Sequence, residues 1–474
     1  MLSIISSFGP FVRQYIIVII ADLSLFTSGL GLAWTSPMLV KLADETNPVY
    51  ETPITGTEAS LIVSLAVIGS VTSNFLAAYL VDKLGRKKSI LLSSIPRICC
   101  YLMHYLATAA WMNYVARILG GFSDGISYSI VPMYASEIAS KEIRGALGTL
   151  FQIFSAFGIL LMMTVGPFMD YYTLNMLCLV LCVVTVVPIL FIPDSPYFLH
   201  KHGNKNEAIE VLTFLRPSES EVKEEILEYE MEEEVTDMTI KELCKTANLP
   251  ILKVIAITVG IGVGSQITGF NALALFLQTI LASTNSSVSP EIASVIIGVI
   301  QLVGSFFTAS IIDRFGRKPI LSTSIIGVTI GMIGLGTFFY KTSDGDVYGF
   351  WNYLPLISII LADFSFSSGV GCLMFPLMAE LFDGRSRAIG MSFGVISCFT
   401  ATFILTISFS SLVNAIGPAF TYWLFSINCV LYFVFILVFV PETKGKTFAE
   451  IQVLLGVRPA EQKKCEKEQF REIM

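Results

Sequence analysis

Twelve stretches of this sequence are long and apolar enough to cross a lipid bilayer, a pattern that few folds can accommodate. They lie at about 14–39, 59–81, 89–110, 112–135, 146–167, 173–192, 250–281, 291–312, 319–340, 352–379, 388–413 and 418–440. A bilayer core about 30 Å thick takes roughly 20 apolar residues in helical form to cross. With no water there, a spanning backbone must satisfy itself, so these stretches read as helices. Charged residues make up only 14% of the chain and the mean hydropathy is +0.72; a soluble protein carries roughly a quarter charged residues. The sequence predicts an all-α membrane protein with 12 transmembrane helices. The first stretch has no short apolar core followed by a small-residue cleavage site, so it reads as an uncleaved helix.

The motif Asp-x-x-Gly-Arg-Lys occurs twice, at Asp82–Lys87 and Asp313–Lys318, each closing one apolar stretch and opening the next. This repeat predicts two pseudo-symmetric six-helix halves, residues 1–192 and 250–440. A cytoplasmic helical linker at 193–249 joins them, and a tail at 441–474 follows. Of the 30 Lys and Arg residues, Lys41 and Lys341 fall in one set of loops, and Arg97 and Arg117 fall within spans. The rest lie on the opposite side, which by the positive-inside rule is cytoplasmic, with both termini inside. The linker carries the acidic excess (Glu224, Glu225, Glu228, Glu230, Glu232, Glu233 and Glu234), with apolar residues at helical spacing between. It reads as solvated amphipathic helices.

Matched charges recur in both halves. Asp82, Arg86, Glu137 and Arg144 have counterparts in Asp313, Arg317, Glu380 and Arg387, and Glu442 follows the last span. Positive-inside bias explains the bases but not the matched acids. Single exposed ion pairs contribute little, whereas a network present in only one conformation biases an equilibrium. If the halves rock about a central site, this set would latch the cytoplasmic side shut.

These motifs, with Arg117-x-x-Gly120, Pro132-Met-Tyr-x-x-Glu137, Arg144-Gly-Ala-Leu-Gly-Thr-Leu-Phe-Gln152 and Pro441-Glu-Thr-Lys-Gly-Lys-Thr447, resemble the sugar porters of the major facilitator superfamily over essentially the whole chain. The stretch Ala33-Trp34-Thr35-Ser36-Pro37 looks like the arthropod facilitated trehalose transporter branch. The resemblance implies a carrier of a small-molecule sugar, a hexose or a disaccharide such as trehalose. It also implies a monomer in the cell membrane, with no cofactor.

Sugars are bound through hydroxyls, and an amide offers both a donor and an acceptor to one. By position, the resemblance assigns Gln152, Gln266, Asn271 and Gln301 to the substrate, together with Trp34, Phe375 and Thr402. An amide in a span can equally bond a neighbouring helix. The glycines of the seventh span (Gly260, Gly262, Gly264 and Gly269) suit either a helix that bends as a gate or close packing. Several positions depart from the family pattern. Ser265 replaces the first glutamine of its seventh-helix pair, and Leu275-Phe276 replaces a tyrosine pair. Gly371-Cys372-Leu373-Met374-Phe375 replaces Gly-Pro-x-Pro-Trp, and the amide expected near Thr402 is absent. Each lost hydrogen bond weakens the hold on a hydroxylated sugar by about 1 kcal/mol.

Ionisable residues deep in a bilayer are costly and usually functional. Asp22, Arg97, His104, Arg117, Asp124 and Asp363 lie within spans. Arg97 and Asp124 fall at similar depth on consecutive antiparallel helices, which predicts a pair. Proton-coupled relatives carry a mid-helix-1 carboxylate that pairs with the fourth-helix arginine. Here Arg117 is present but Leu30 stands at the acid's position, which favours uniport over proton symport. A sensor that kept the fold without transporting is a third reading. The nine cysteines show no metal-site spacing, and nothing in the chain suggests an enzyme or nucleic-acid binding. A glycosylation sequon begins at Asn285.

Overall fold

The computed structural model describes residues 7–43, 49–50, 52–233, 249–275, 290–342, 351, 353–382, 387–446 and 448–457. Asn285 and Phe276 lie outside them. Twelve spans are present and no strand occurs among the described residues. The first half holds Pro10–Ala33 (continuing as Thr35–Leu42), Gly56–Leu84, Arg86–Tyr105, Ala110–Ile138, Arg144–Val165 and Tyr171–Ile189. The second holds Leu249–Ile267 (continuing as Phe270–Leu275), Pro290–Phe315, Arg317–Thr342, Leu354–Ser367 (continuing as Val370–Glu380), Arg387–Ile416 and Pro418–Phe439. Ten of these are both long and apolar enough to cross a membrane. The third and fourth spans fall short because they carry Arg97 and His104, and Arg117, Asp124 and Glu137. The fourth is buried almost continuously from Gly120 onward, so it needs little apolar face toward lipid.

The most extensive contacts between the halves are symmetry-related: the second span packs on the eleventh, and the fifth on the eighth. Breaks fall at the corresponding first span of each half. Pro37 has no N–H and its ring crowds the carbonyl one turn back, so the first span is interrupted at Trp34. The seventh is interrupted at Thr268–Gly269, where Gly269 takes φ +79°. Interrupted spans at matching places in two repeats are where carriers of this architecture form their central site.

The repeated motif builds the same turn twice. Gly85 (φ +88°) and Gly316 (φ +87°) end the second and eighth spans in a left-handed conformation. A Cβ at these positions would lie 2.4 Å from Asp194 Oδ2 and 2.7 Å from Glu442 Oε2. Those carboxylates cap the next helix. Asp194 Oδ1 accepts from the N–H of Arg86 (2.9 Å) and Lys87 (3.3 Å), while Glu442 accepts from Arg317 and Lys318, both at 3.0 Å. The spacing of the motif thus places glycine where only glycine fits, with an acid at the positive end of the following helix. Gly316→Ala combines left-handed strain with displacement of a charged cap, and it should lower unfolding stability by about 2–3 kcal/mol. Thermal melting in detergent checks this, with Gly417→Ala (φ +83°, open space around it) as the control for strain alone.

The linker helices Pro196–Lys201, Lys205–Leu215 and Glu219–Glu233 dock on the first half. Gln14 donates to Leu215 O (2.7 Å) and accepts from Ser140 N (2.8 Å). Arg216 donates to Ile138 O (2.7 Å) and to both oxygens of Glu225 (2.7 and 2.8 Å).

Candidate substrate site and charged latch

At the end of the bundle that carries both motifs, each half holds a buried ion pair. Arg86 donates to both oxygens of Glu137 (2.8 Å each), and Arg317 to both oxygens of Glu380 (3.2 and 2.7 Å). Thr443 adds a bond to Glu380 (2.5 Å). Asp82 lies beside Arg86, and Asp313 is 3.6 Å from Arg317.

Two hydrogen bonds of this layer cross between the halves among the described residues. Arg387 donates to Glu137 (3.2 Å), so one carboxylate joins guanidinium groups from both halves. Asp313 accepts from Ala146 N (3.0 Å), and the missing side chain of Gly145 leaves room for it. Arg144 behaves differently from Arg387. It stacks on Phe448 of the tail helix Phe448–Leu454, with Cζ 4.2 Å from the ring centre, and Arg387 lies 3.9 Å from the same ring. Arg144 feels the charge of Glu380 as Arg387 feels that of Glu137, but among the described residues only Arg387 makes a hydrogen bond across the halves, and the tail ring lies over both arginines.

Just inside this layer, about 9 Å along the fifth span from Gly145, aromatic rings from both halves close together. Phe375 lies 5.7 Å from Phe151 and 5.2 Å from Tyr128, and Phe399 lies 6.2 Å from Tyr128. The Tyr128 hydroxyl is bonded to Ser155 (2.9 Å). Of these rings only Phe375 was legible as a site residue. Phenylalanines in apolar spans carry no marker that separates an interface from lipid.

Gln152 shares a helix face with Gly145 and Gly148, which meet Asp313 and Pro376 of the second half. It is thereby placed on the boundary, next to the aromatic layer. Gln301 lies between Gly298, which faces Leu160 of the fifth span, and Ser305, which meets Cys372 of the tenth. Neither amide bonds to the protein among the described residues, and neither is fully buried. Both remain available to a ligand.

Gln266 is placed differently. It is 2% exposed. Its Oε1 accepts from Asn271, and its Nε2 donates to Ser265 Oγ and Cys398 Sγ, both at 3.1 Å. Ser265 Oγ donates to Gly262 O (2.7 Å) and lies 2.8 Å from Met374 Sδ. Thr402 donates to Cys398 O of its own helix (2.9 Å). Trp34 is not with these residues. It packs inside the first half, stacked on His104 at 3.9 Å, with its N–H donated to Asn175 (2.8 Å). A buried indole needs an acceptor, and Asn175 of the sixth span provides one. His104 in turn meets Asn113 (2.7 Å), which also accepts from Tyr171 (3.0 Å) and donates to Tyr50 (2.5 Å).

The remaining charges are internal to each half. Arg97 donates to Asp124 and to Ser28 (3.0 Å). Arg117 donates to two carbonyls, of Ile62 (3.1 Å) and Gly31 (2.9 Å). Both oxygens of Asp22 and Oδ2 of Asp363 are buried without a hydrogen-bond partner among the described residues.

Known proteins are similar to this chain in sequence and in fold. The chain is 30% identical over 444 residues to a facilitated trehalose transporter, Tret1, of Polypedilum vanderplanki, covering 93% of this chain and 87% of that protein. Tret1 of Apis mellifera ligustica is 29% identical over 447 residues, with 93% and 88% covered. Tret1 of Aedes aegypti is longer, and the match spans 54% of it at 30% identity. Among solved structures, the proton:xylose symporter XylE bound to 6-bromo-6-deoxy-D-glucose superposes with a TM-score of 0.80 at 22% identity, over 94% of this chain and 99% of that one. The inward-open conformation of the xylose transporter XylE from E. coli gives 0.69 at 22% identity, over 93% and 99%. The family model for sugar (and other) transporters matches residues 17–455. This multi-pass membrane chain, with the major facilitator fold, belongs to the sugar (and other) transporter family.

Proposed function

We propose that the protein is a facilitative carrier for a sugar, a hexose or a disaccharide such as trehalose, working by alternating access. The observation that carries this reading is the pair of free amides, Gln152 and Gln301, at the boundary of two halves. That boundary is sealed at one end by the aromatic layer and the ion-pair latch. Lysine and arginine gather at the latch end, which assigns it to the cytoplasm. The conformation described is then the one closed to the cytoplasm, and opening that side requires Arg387 to leave Glu137 and Asp313 to leave Ala146. The resemblance to facilitated trehalose transporters supports the substrate class. The first and second halves, 1–192 and 250–440, act as the two rocking bodies, with 193–249 as their cytoplasmic tether.

Proton symport is the second reading, favoured by the unpartnered carboxylates of Asp22 and Asp363. Uptake of labelled trehalose, glucose, fructose, sucrose and a polyol into oocytes, with and without an imposed proton gradient, separates the two. Facilitated transport gives saturable uptake that ignores the gradient and falls at least about tenfold in the Gln152→Ala/Gln301→Ala double variant. That fall corresponds to losing about two net hydrogen bonds. Concentrative uptake that follows the gradient and disappears in Asp363→Asn would establish symport. No uptake of any sugar, with the protein at the surface, would refute the carrier reading.

A further inference from the structure

Where the seventh, tenth and eleventh spans meet around Met374, the wall of the site is closed against polar contact by its own side chains. Ser265, Gln266, Met374 and Cys398, from the seventh, tenth and eleventh spans, are each no more than 6% exposed. Within this group every strong polar atom already has a partner. Gln266 presents Oε1 to Asn271 and Nε2 to Ser265 and Cys398, and Ser265 gives its single hydroxyl hydrogen to Gly262 O. Met374 Sδ sits 2.8 Å from Ser265 Oγ and 3.9 Å from Cys398 Sγ. Its neighbour Phe375 projects into the aromatic layer with Tyr128 and Phe151. A thioether is apolar, polarisable and adaptable, and it accepts hydrogen bonds only weakly. The polar groups with spare capacity among the described residues are Gln152 of the fifth span, Gln301 of the eighth and the Oδ1 of the half-buried Asn271, so the surface at Met374 and Phe375 is the part of the site that offers sulfur and aromatic contact in place of amides.

We propose that Met374 is the specificity-determining residue of the site. By covering Ser265 and Gln266 it makes the site select a sugar that presents one face poor in hydroxyls, such as a deoxy sugar or an alkyl glycoside, over the fully hydroxylated parent. This inference rests on the carrier reading above. A hydroxyl turned toward Met374 gives up its water and gains no partner, which is the asymmetric penalty that makes polar discrimination strong. A methyl or methylene at the same place meets a matching surface.

The test is competition between matched probes in cells expressing the full chain. Uptake constants are measured for glucose, 2-deoxyglucose, 6-deoxyglucose and methyl glucoside in the wild type, Met374→Leu and Met374→Ala. In the wild type at least one deoxy or methyl probe should be favoured over glucose by about fivefold, the factor that accompanies about one net hydrogen bond. Met374→Leu keeps the volume and should keep the preference. Met374→Ala uncovers Ser265 and Gln266 and should reduce the preference to about unity, chiefly by improving the uptake constant for glucose. Adding Ser265→Ala to Met374→Ala should remove that improvement. Transport with no preference in the wild type, or a preference unchanged in Met374→Ala, overturns the role of Met374 while leaving the carrier intact. Absence of any sugar flux in the wild type overturns both.

Discussion

Glu137→Ala should reduce sugar flux at least about tenfold and leave the carrier resting with its charged end open. Glu137 accepts hydrogen bonds from guanidinium groups of both halves, two from Arg86 and one from Arg387. It is 4% exposed, and Arg86 and Arg387 are each 2% exposed. Deleting it leaves two buried cations facing each other without a counter-charge. Breaking one side of a buried pair typically costs about 3–5 kcal/mol. Part of that cost is avoided if the halves separate and water reaches the arginines, so the substitution acts on conformation as well as on stability. Glu380→Ala is an informative contrast. Glu380 hydrogen-bonds to Arg317 of its own half and to Thr443 of the tail, and it meets Arg144 of the first half only through longer-range charge attraction, so its loss should cost stability with a smaller conformational shift. Labelling of a cysteine introduced at position 148, which faces Pro376 in the closed end, reads the difference. Fast labelling is expected in Glu137→Ala and slow labelling in Glu380→Ala, and equal rates would show that the two pairs play the same part.

The second large effect concerns the ion pair inside the first half. Asp124→Ala strands Arg97, which is 2% exposed and otherwise hydrogen-bonded only to Ser28 among the described residues. A loss of about 3–5 kcal/mol is expected, visible as poor folding. Removing both charges in Asp124→Ala/Arg97→Met should recover most of it, because an apolar pair of similar volume carries no desolvation penalty. Flux then reports what the pair does. A double variant that folds and still transports marks the pair as structural, and one that folds but does not transport assigns it a part in the cycle. Thermal melting together with uptake distinguishes these outcomes.

Much of the fold was legible because it follows from solvent and from repetition. The apolar stretches forced helices, and the duplicated glycine motif forced two matching turns, each closed by Asp194 or Glu442. The role of Asp194 as a cap was less evident, because it lies 108 residues from Arg86 in sequence. The site was legible in part. Gln152 and Gln301 fall at the boundary because each shares a helix face with a glycine that meets the other half. Gln266 looks the same in one dimension, but the turn at Gly269 brings Asn271 back onto it and engages its acceptor. Trp34 adjoins the break in the first span, and the sequence holds no sign that its ring turns inward toward His104 rather than toward the centre. Nor does it show that Phe448, far along the tail, fills the space between Arg144 and Arg387, since the convergence of three distant segments is a property of packing alone.

Alternating access between the two halves is tested most directly by fastening the closed end. Gly148 and Pro376 face each other there, with an ideal Cβ on Gly148 lying 3.2 Å from Pro376 Cβ, close to the spacing a disulfide spans. In the Gly148→Cys/Pro376→Cys variant, sugar flux should stop on oxidation and return with a reductant, while each single variant is indifferent to both. Undiminished flux through the cross-linked protein would contradict the account, because sugar would then be crossing without that end ever opening.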